Sequence, residues 1–141
     1  MDLLHPKHWA RPSGYSNGVA AEGRQVFVAG QIGWNAEREI VGDDFVAQVE
    51  QALQNIVHVL AEADARPEDL VRLTWYVTDK REYLARASEV GAAYRRVIGR
   101  HFPAMTVVQV VALLEDRAKV EIEATAVVAR ASSTPGVGAR G

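Results

Sequence analysis

The sequence predicts an α+β fold. The expected form is a two-layer sandwich in which a mixed sheet of five to six strands carries two helices on one face. Three features lead there. Residues 102–128 hold two Val-rich apolar runs, 106–114 (TVVQVVALL) and Val120–Val128 (VEIEATAVV), joined by the polar link Glu115-Asp116-Arg117. Segments 43–64 and 79–99 repeat apolar residues at helical spacing. Strand-like segments precede, separate and follow them, giving the order β-β-(β)-α-β-α-β-β.

The 102–128 stretch reads as a β-hairpin whose strands are too apolar to face water on either side. Pro103 at its entrance keeps Phe102 out of the helical region. In the second run Val120 and Ile122 fall on one side, and Glu121, Glu123 and Thr125 on the other. A carboxylate buried in an apolar strand is costly without a partner, so the two glutamates call for one.

Taken in order, residues 1–14 carry two prolines and no periodicity, which predicts an irregular arm anchored by Trp9. Residues 16–20 (SNGVA) form a strand, 21–23 a turn and 25–29 (QVFVA) a second strand. Gly30 ends that strand, Gly33 allows a bend before Trp34, and 36–41 holds a third, short strand. Asp43 and Asp44 suit a helix N-terminus, and Phe45, Val49, Leu53, Ile56 and Leu60 make the apolar face of a helix over 43–64. After Arg66-Pro67, residues 70–78 (LVRLTWYVT) have the β-branched and aromatic bias of a strand. Asp79 opens a helix over 79–99 with the stripe Leu84, Ala87, Val90, Tyr94 and Val97, and Gly99 ends it. Residues 1–130 make one domain, and the small, Gly-rich tail 131–141 is expected to be disordered. With both helices on one face, the other sheet face is uncovered. Val26, Val28, Trp75, Val108 and Val110 alternate along the strands, so neither face is purely polar and self-association is expected.

Composition narrows the function. A net charge of −2 argues against a dedicated nucleic-acid or membrane-surface protein. The absence of cysteine removes disulfide and thiol chemistry. No stretch has the length of a membrane span and the N-terminus has no apolar leader core, which places the chain in the cytoplasm by default. No metal site is predicted: His5 and His8 lack further ligands, and His58 reads as a surface residue. The glycines of SGYSNG and AGQIGW lack the spacing of a phosphate loop. Arg95, Arg96 and Arg100 read as solvated helix surface at the C-terminal dipole, and RNA binding would want aromatic platforms among such charges. Tyr15, the AGQIGW turn with Gly30, Gln31 and Trp34, the PAMT entrance with Met105 and Thr106, and Glu121 are polar or special residues at strand ends. A mixed sheet could gather them into a site. Alternatively Tyr15 packs, Gln31 caps a turn and Glu121 finds an ion pair.

GQIGWN near residue 30, the helix FVAQVEQALQNI, the strand LVRLTWYVTD, and FPAMTVVQV followed by KVEIEATAVV together resemble the YjgF/RidA family, also called L-PSP endoribonuclease-like. The likeness runs in order from about residue 13 to 129. It implies a chorismate-mutase-like fold and a homotrimer with three inter-subunit clefts for a small-molecule ligand. Active members of the family hydrolyse enamine and imine intermediates such as 2-aminoacrylate to a 2-keto acid and ammonia, with no cofactor. The family pattern matches at Tyr15, Gly30, Gln31, Phe102, Pro103 and Glu121, with Glu121 implied as the catalytic residue that orients water. Tyr15, Gly30, Gln31, Trp34, Phe102, Met105 and Thr106 are then the expected substrate-binding residues. The sequence departs from the pattern where Met105 replaces the arginine that grips the substrate carboxylate, and again at Ala29, Val107 and Gly91. The resemblance is therefore to a branch without that arginine, and weak activity on 2-aminoacrylate is expected. A non-catalytic small-molecule-binding trimer is the alternative, and an endoribonuclease a more distant one.

Overall fold

The computed structural model describes residues 1–130; the tail 131–141, expected to be disordered, lies outside the described residues. Among the described residues, six strands and three α-helices follow one another: Asp2–Leu4 (β1), Gly18–Ala20 (β2), Arg24–Ile32 (β3), Phe45–Glu62 (α1), Leu70–Val77 (β4), Lys80–Ala85 (α2), Ala87–Val97 (α3), Ala104–Gln109 (β5) and Val120–Val128 (β6). The α+β class stands, with the helices layered on one face of a mixed sheet. The strands divide, however, into a four-stranded sheet of order β3-β6-β4-β5 and a separate β1-β2 ribbon. The arm expected to be irregular thus contains a strand, with Leu3 opposite Val19. The third short strand expected at 36–41 is instead a turn. Asn35 Oδ1 accepts from the backbone N–H groups of Glu37 and Glu39, and only a Trp34–Ile40 bridge remains.

The expected hairpin does not form. β5 pairs in parallel with β4, while β6 runs antiparallel between β3 and β4. Two parallel crossovers, β3-α1-β4 and β4-α2-α3-β5, build the frame, and β6 fills the gap between β3 and β4. The reason lies in burial. Val120, Ile122 and Ala126 are wholly buried beneath the helices, so β6 is a core strand, which suits an interior position with both edges hydrogen-bonded. The alternation itself holds: Glu121, Glu123 and Thr125 share the face away from the helices.

α1 begins where Asp44 accepts from Ala47 N at 2.9 Å, and buries Phe45, Val49, Ala52, Leu53, Ile56 and Leu60. Gln48 is buried among them and fully used: Nε2 donates to the carbonyls of Gly42 and Arg117, and Oε1 accepts from Lys119 N. It pins the long β5–β6 link to the helix. Gly33 is fixed by packing, because a Cβ there would come within 2.6 Å of Gln48 Cα. The single helix expected over 79–99 breaks at Arg86 (φ −110°, ψ 22°). The guanidinium of Arg86 pairs with Asp44 and with Glu89, each at 2.7 Å, joining the start of α1 to the start of α3. The break turns Leu84, expected in the buried stripe, outward to 66% exposure. Gly99 does end α3, at φ +92°.

Candidate functional site

A cleft of about 660 Å³ opens between α3 and the β4–β5 edge. Its floor is Trp75 on β4 with Met105 and Val107 on β5, all facing the helix layer. Tyr83, Val90, Gly91 and Tyr94 form the helical wall, and Phe102 stacks on Tyr94 at 5.5 Å between ring centres. Ser13, Gly14 and Tyr15 lie across the mouth. They are held there by Ser16, whose N–H donates to Pro103 O at 3.0 Å and whose hydroxyl donates to Phe102 O at 2.5 Å. Gly14 sits at φ +77°, a conformation that glycine adopts without strain.

The cleft is apolar with a few polar groups. Burial pushes the phenols of Tyr83 and Tyr94 up, so both stay neutral donors at physiological pH. The Tyr94 hydroxyl donates to His101 O at 2.6 Å. Trp75 is 2% exposed, and its indole N–H has no acceptor among the described residues. An unmade bond of that kind costs about 1–3 kcal/mol. Arg95 is the one formally charged residue among those lining the cleft. The expected site residues included neither Arg95 nor the aromatics Trp75, Tyr83 and Tyr94. The only signal in the sequence was the Gly91–Arg95 spacing of one helical turn.

Of the expected residues, Tyr15, Phe102 and Met105 meet in this cleft, and Gly30, Gln31, Trp34, Thr106 and Glu121 do not line it. Glu121 lies on the opposite face of the sheet. Its carboxylate rests over Gly30, where any Cβ would collide with Oε2. Among the described residues Glu121 forms neither the ion pair nor the hydrogen bond of a structural glutamate. Its neighbour Glu123 does have a partner: Tyr76 donates to it at 2.6 Å. That bond, with burial and the two nearby carboxylates, raises the Tyr76 phenol. Thr106 is exposed on the same outer face, in register with Thr74, which is itself in register with Glu123. Gln31 donates to Ala29 O at 3.0 Å and so caps its own turn. Trp34 belongs to the turn beyond β3, where Asn55 donates to its carbonyl. No group of three or more His, Asp or Glu side chains among the described residues could hold a metal ion.

Known proteins are similar to this chain over most of its length. The model of the endoribonuclease L-PSP family matches residues 8–128. A RutC family protein of Pyrococcus abyssi is 35% identical over 126 residues, 89% of this chain and 95% of its own. The 2-iminobutanoate/2-iminopropanoate deaminase of Salmonella typhimurium is 33% identical over 108 residues, covering 74% and 80%. Among solved structures, a Rid-family protein of Yersinia pestis superposes with a TM-score of 0.79 at 35% identity, over 90% of this chain and 98% of that one.

Proposed function

The chain belongs to the YjgF/RidA family, and from that premise we propose that it is a cytoplasmic homotrimer whose inter-subunit clefts hydrolyse an enamine or imine to a carbonyl product and ammonia. The observation that carries the reading is the division of the candidate residues. Within one protomer an aromatic cleft without a carboxylate faces the helices, while Glu121 waits unpaired over Gly30 on the far side of the sheet. A head-to-tail contact, in which the β3–β6 side of one copy meets the β5 edge of the next, unites them, and three such contacts close a ring.

In the united site Glu121 accepts a proton from water as the water oxygen bonds to the imine carbon. The C=N π pair passes to nitrogen, which takes that proton from Glu121 to give the carbinolamine. Glu121 then removes the carbinolamine hydroxyl proton and passes it to nitrogen, so that the C–N bond breaks, ammonia leaves and the carbonyl forms. An enamine enters the same path after protonation on carbon. Met105 offers the substrate a polarizable wall and no charge, so short carboxylates gain little at β5. That feature gives weight to a second reading, a trimer that binds small molecules without turning them over. Single-turnover assays against a panel of imines separate the two. Glu121→Gln should keep the trimer and lower hydrolysis by about a hundredfold or more, the usual scale of a general base. Full hydrolysis in that variant, or a melting temperature that collapses with activity retained, overturns the catalytic role.

A further inference from the structure

The basic residues Arg95, Arg96 and Arg100 at the end of α3 are all exposed, as expected, but they differ in their partners. Arg96 pairs with Glu50 at 2.6 Å. Arg95, a step of about 100° around the helix, borders the cleft and has no ion pair among the described residues. Gly91, one turn earlier, makes this possible. A Cβ at 91 would stand 3.3 Å from Arg95 Nη1, so the guanidinium lies over the bare glycine at the mouth of the cleft. The rest of the lining is largely aromatic, with Tyr83, Tyr94, Phe102 and Trp75.

Resting on the reading that this cleft is the ligand site, we propose that Arg95 is its anion anchor and that the cleft selects carboxylates bearing an aromatic side chain, namely aromatic 2-imino acids and their 2-keto products. A guanidinium presents two parallel donors to a carboxylate. As the one charge on the lining, it fixes which end of a ligand sits at the mouth. A three-carbon acid held there leaves the aromatic walls uncovered, whereas a ring fills them with the offset or edge-on contacts that aromatic groups favour. At about 660 Å³ the space falls in the range of roughly 300–1,000 Å³ typical of sites for larger organic ligands.

Calorimetric titration with phenylpyruvate, 2-ketobutyrate and phenylacetone, the last lacking the carboxylate, tests this. Phenylpyruvate should bind the wild type about tenfold or more tightly than 2-ketobutyrate. Arg95→Gln, a change at an exposed position, should remove about tenfold from phenylpyruvate and leave phenylacetone unchanged. Gly91→Asn should weaken phenylpyruvate by crowding the guanidinium, but have no effect when combined with Arg95→Gln. If phenylacetone binds and phenylpyruvate has the same affinity for wild type and Arg95→Gln, the anchor is wrong and the cleft stands. If 2-ketobutyrate binds as tightly as phenylpyruvate, the selectivity is wrong. If none of the three binds, the anchor and the cleft both fall.

Discussion

Gln48 shows what one buried polar side chain can hold together. Its amide closes three hydrogen bonds to Gly42, Arg117 and Lys119, joining α1 to the link that delivers β6. Gln48→Leu keeps the volume roughly constant but leaves two carbonyls and one N–H without partners. The expected loss is about 2 kcal/mol or more in urea unfolding; a loss below about 0.5 kcal/mol would mean that water replaces the amide. Met105 tests the proposed ligand preference from the side of β5. It lines the cleft and packs on the core, and it brings no charge. Met105→Arg should raise the affinity for 2-ketobutyrate about tenfold or more, because a charge-assisted pair forms close to β5. Wild-type turnover of 2-aminoacrylate equal to that of arginine-bearing relatives would show that another group already holds the short carboxylate.

At the scale of elements, the break between α2 and α3 positions the cleft wall. Arg86 sits in the break and holds both Asp44, the N-cap of α1, and Glu89, in the first turn of α3. The hydrogen bonds from Arg86 hold both carboxyls below their ordinary range. A carboxyl lowered by folding stabilises the fold above its unfolded value, near about 4, and that stabilisation is lost as pH falls through the lowered folded value. Arg86→Gln should therefore reduce Tm at pH 7, and the gap from wild type should close between about pH 4 and pH 2. A gap that persists unchanged to pH 2 would assign the effect to packing at the break.

For the whole molecule, the uncovered sheet face is the feature with the largest consequence. Phe27 is 71% exposed there and Val108 is exposed on β5, while Val111 and Leu114 stand fully exposed in the link beyond it. Apolar groups so placed favour burial against another copy. In light scattering the wild type should show three times the 15.4 kDa mass of the chain, and Phe27→Glu should shift it toward the monomer. A trimer that survives Phe27→Glu would place the contact elsewhere. A wild-type monomer at micromolar concentration would remove the inter-subunit cleft altogether.

What the sequence determined by itself was local. The Asp44 cap, the buried stripe from Phe45 to Leu60, the stop at Gly99 and the two-sided pattern of β6 each depend on residues within a turn or a pleat of one another. The family pattern likewise marked Tyr15, Phe102 and Met105, which do converge. Tertiary structure decided the rest. Two consecutive apolar runs look alike whether they pair with each other or not, and only the burial of β6 between β3 and β4 rules out the hairpin. Helical periodicity runs straight through Arg86, because the partner that holds the break, Asp44, is distant in sequence. Arg95 and Arg96 are equivalent as letters, yet Glu50 claims one and the bare surface of Gly91 turns the other to the cleft. Glu121 and Met105 fall on opposite faces of one sheet because each strand's side-chain alternation is set by its register, which is fixed by long-range pairing and by the helices above.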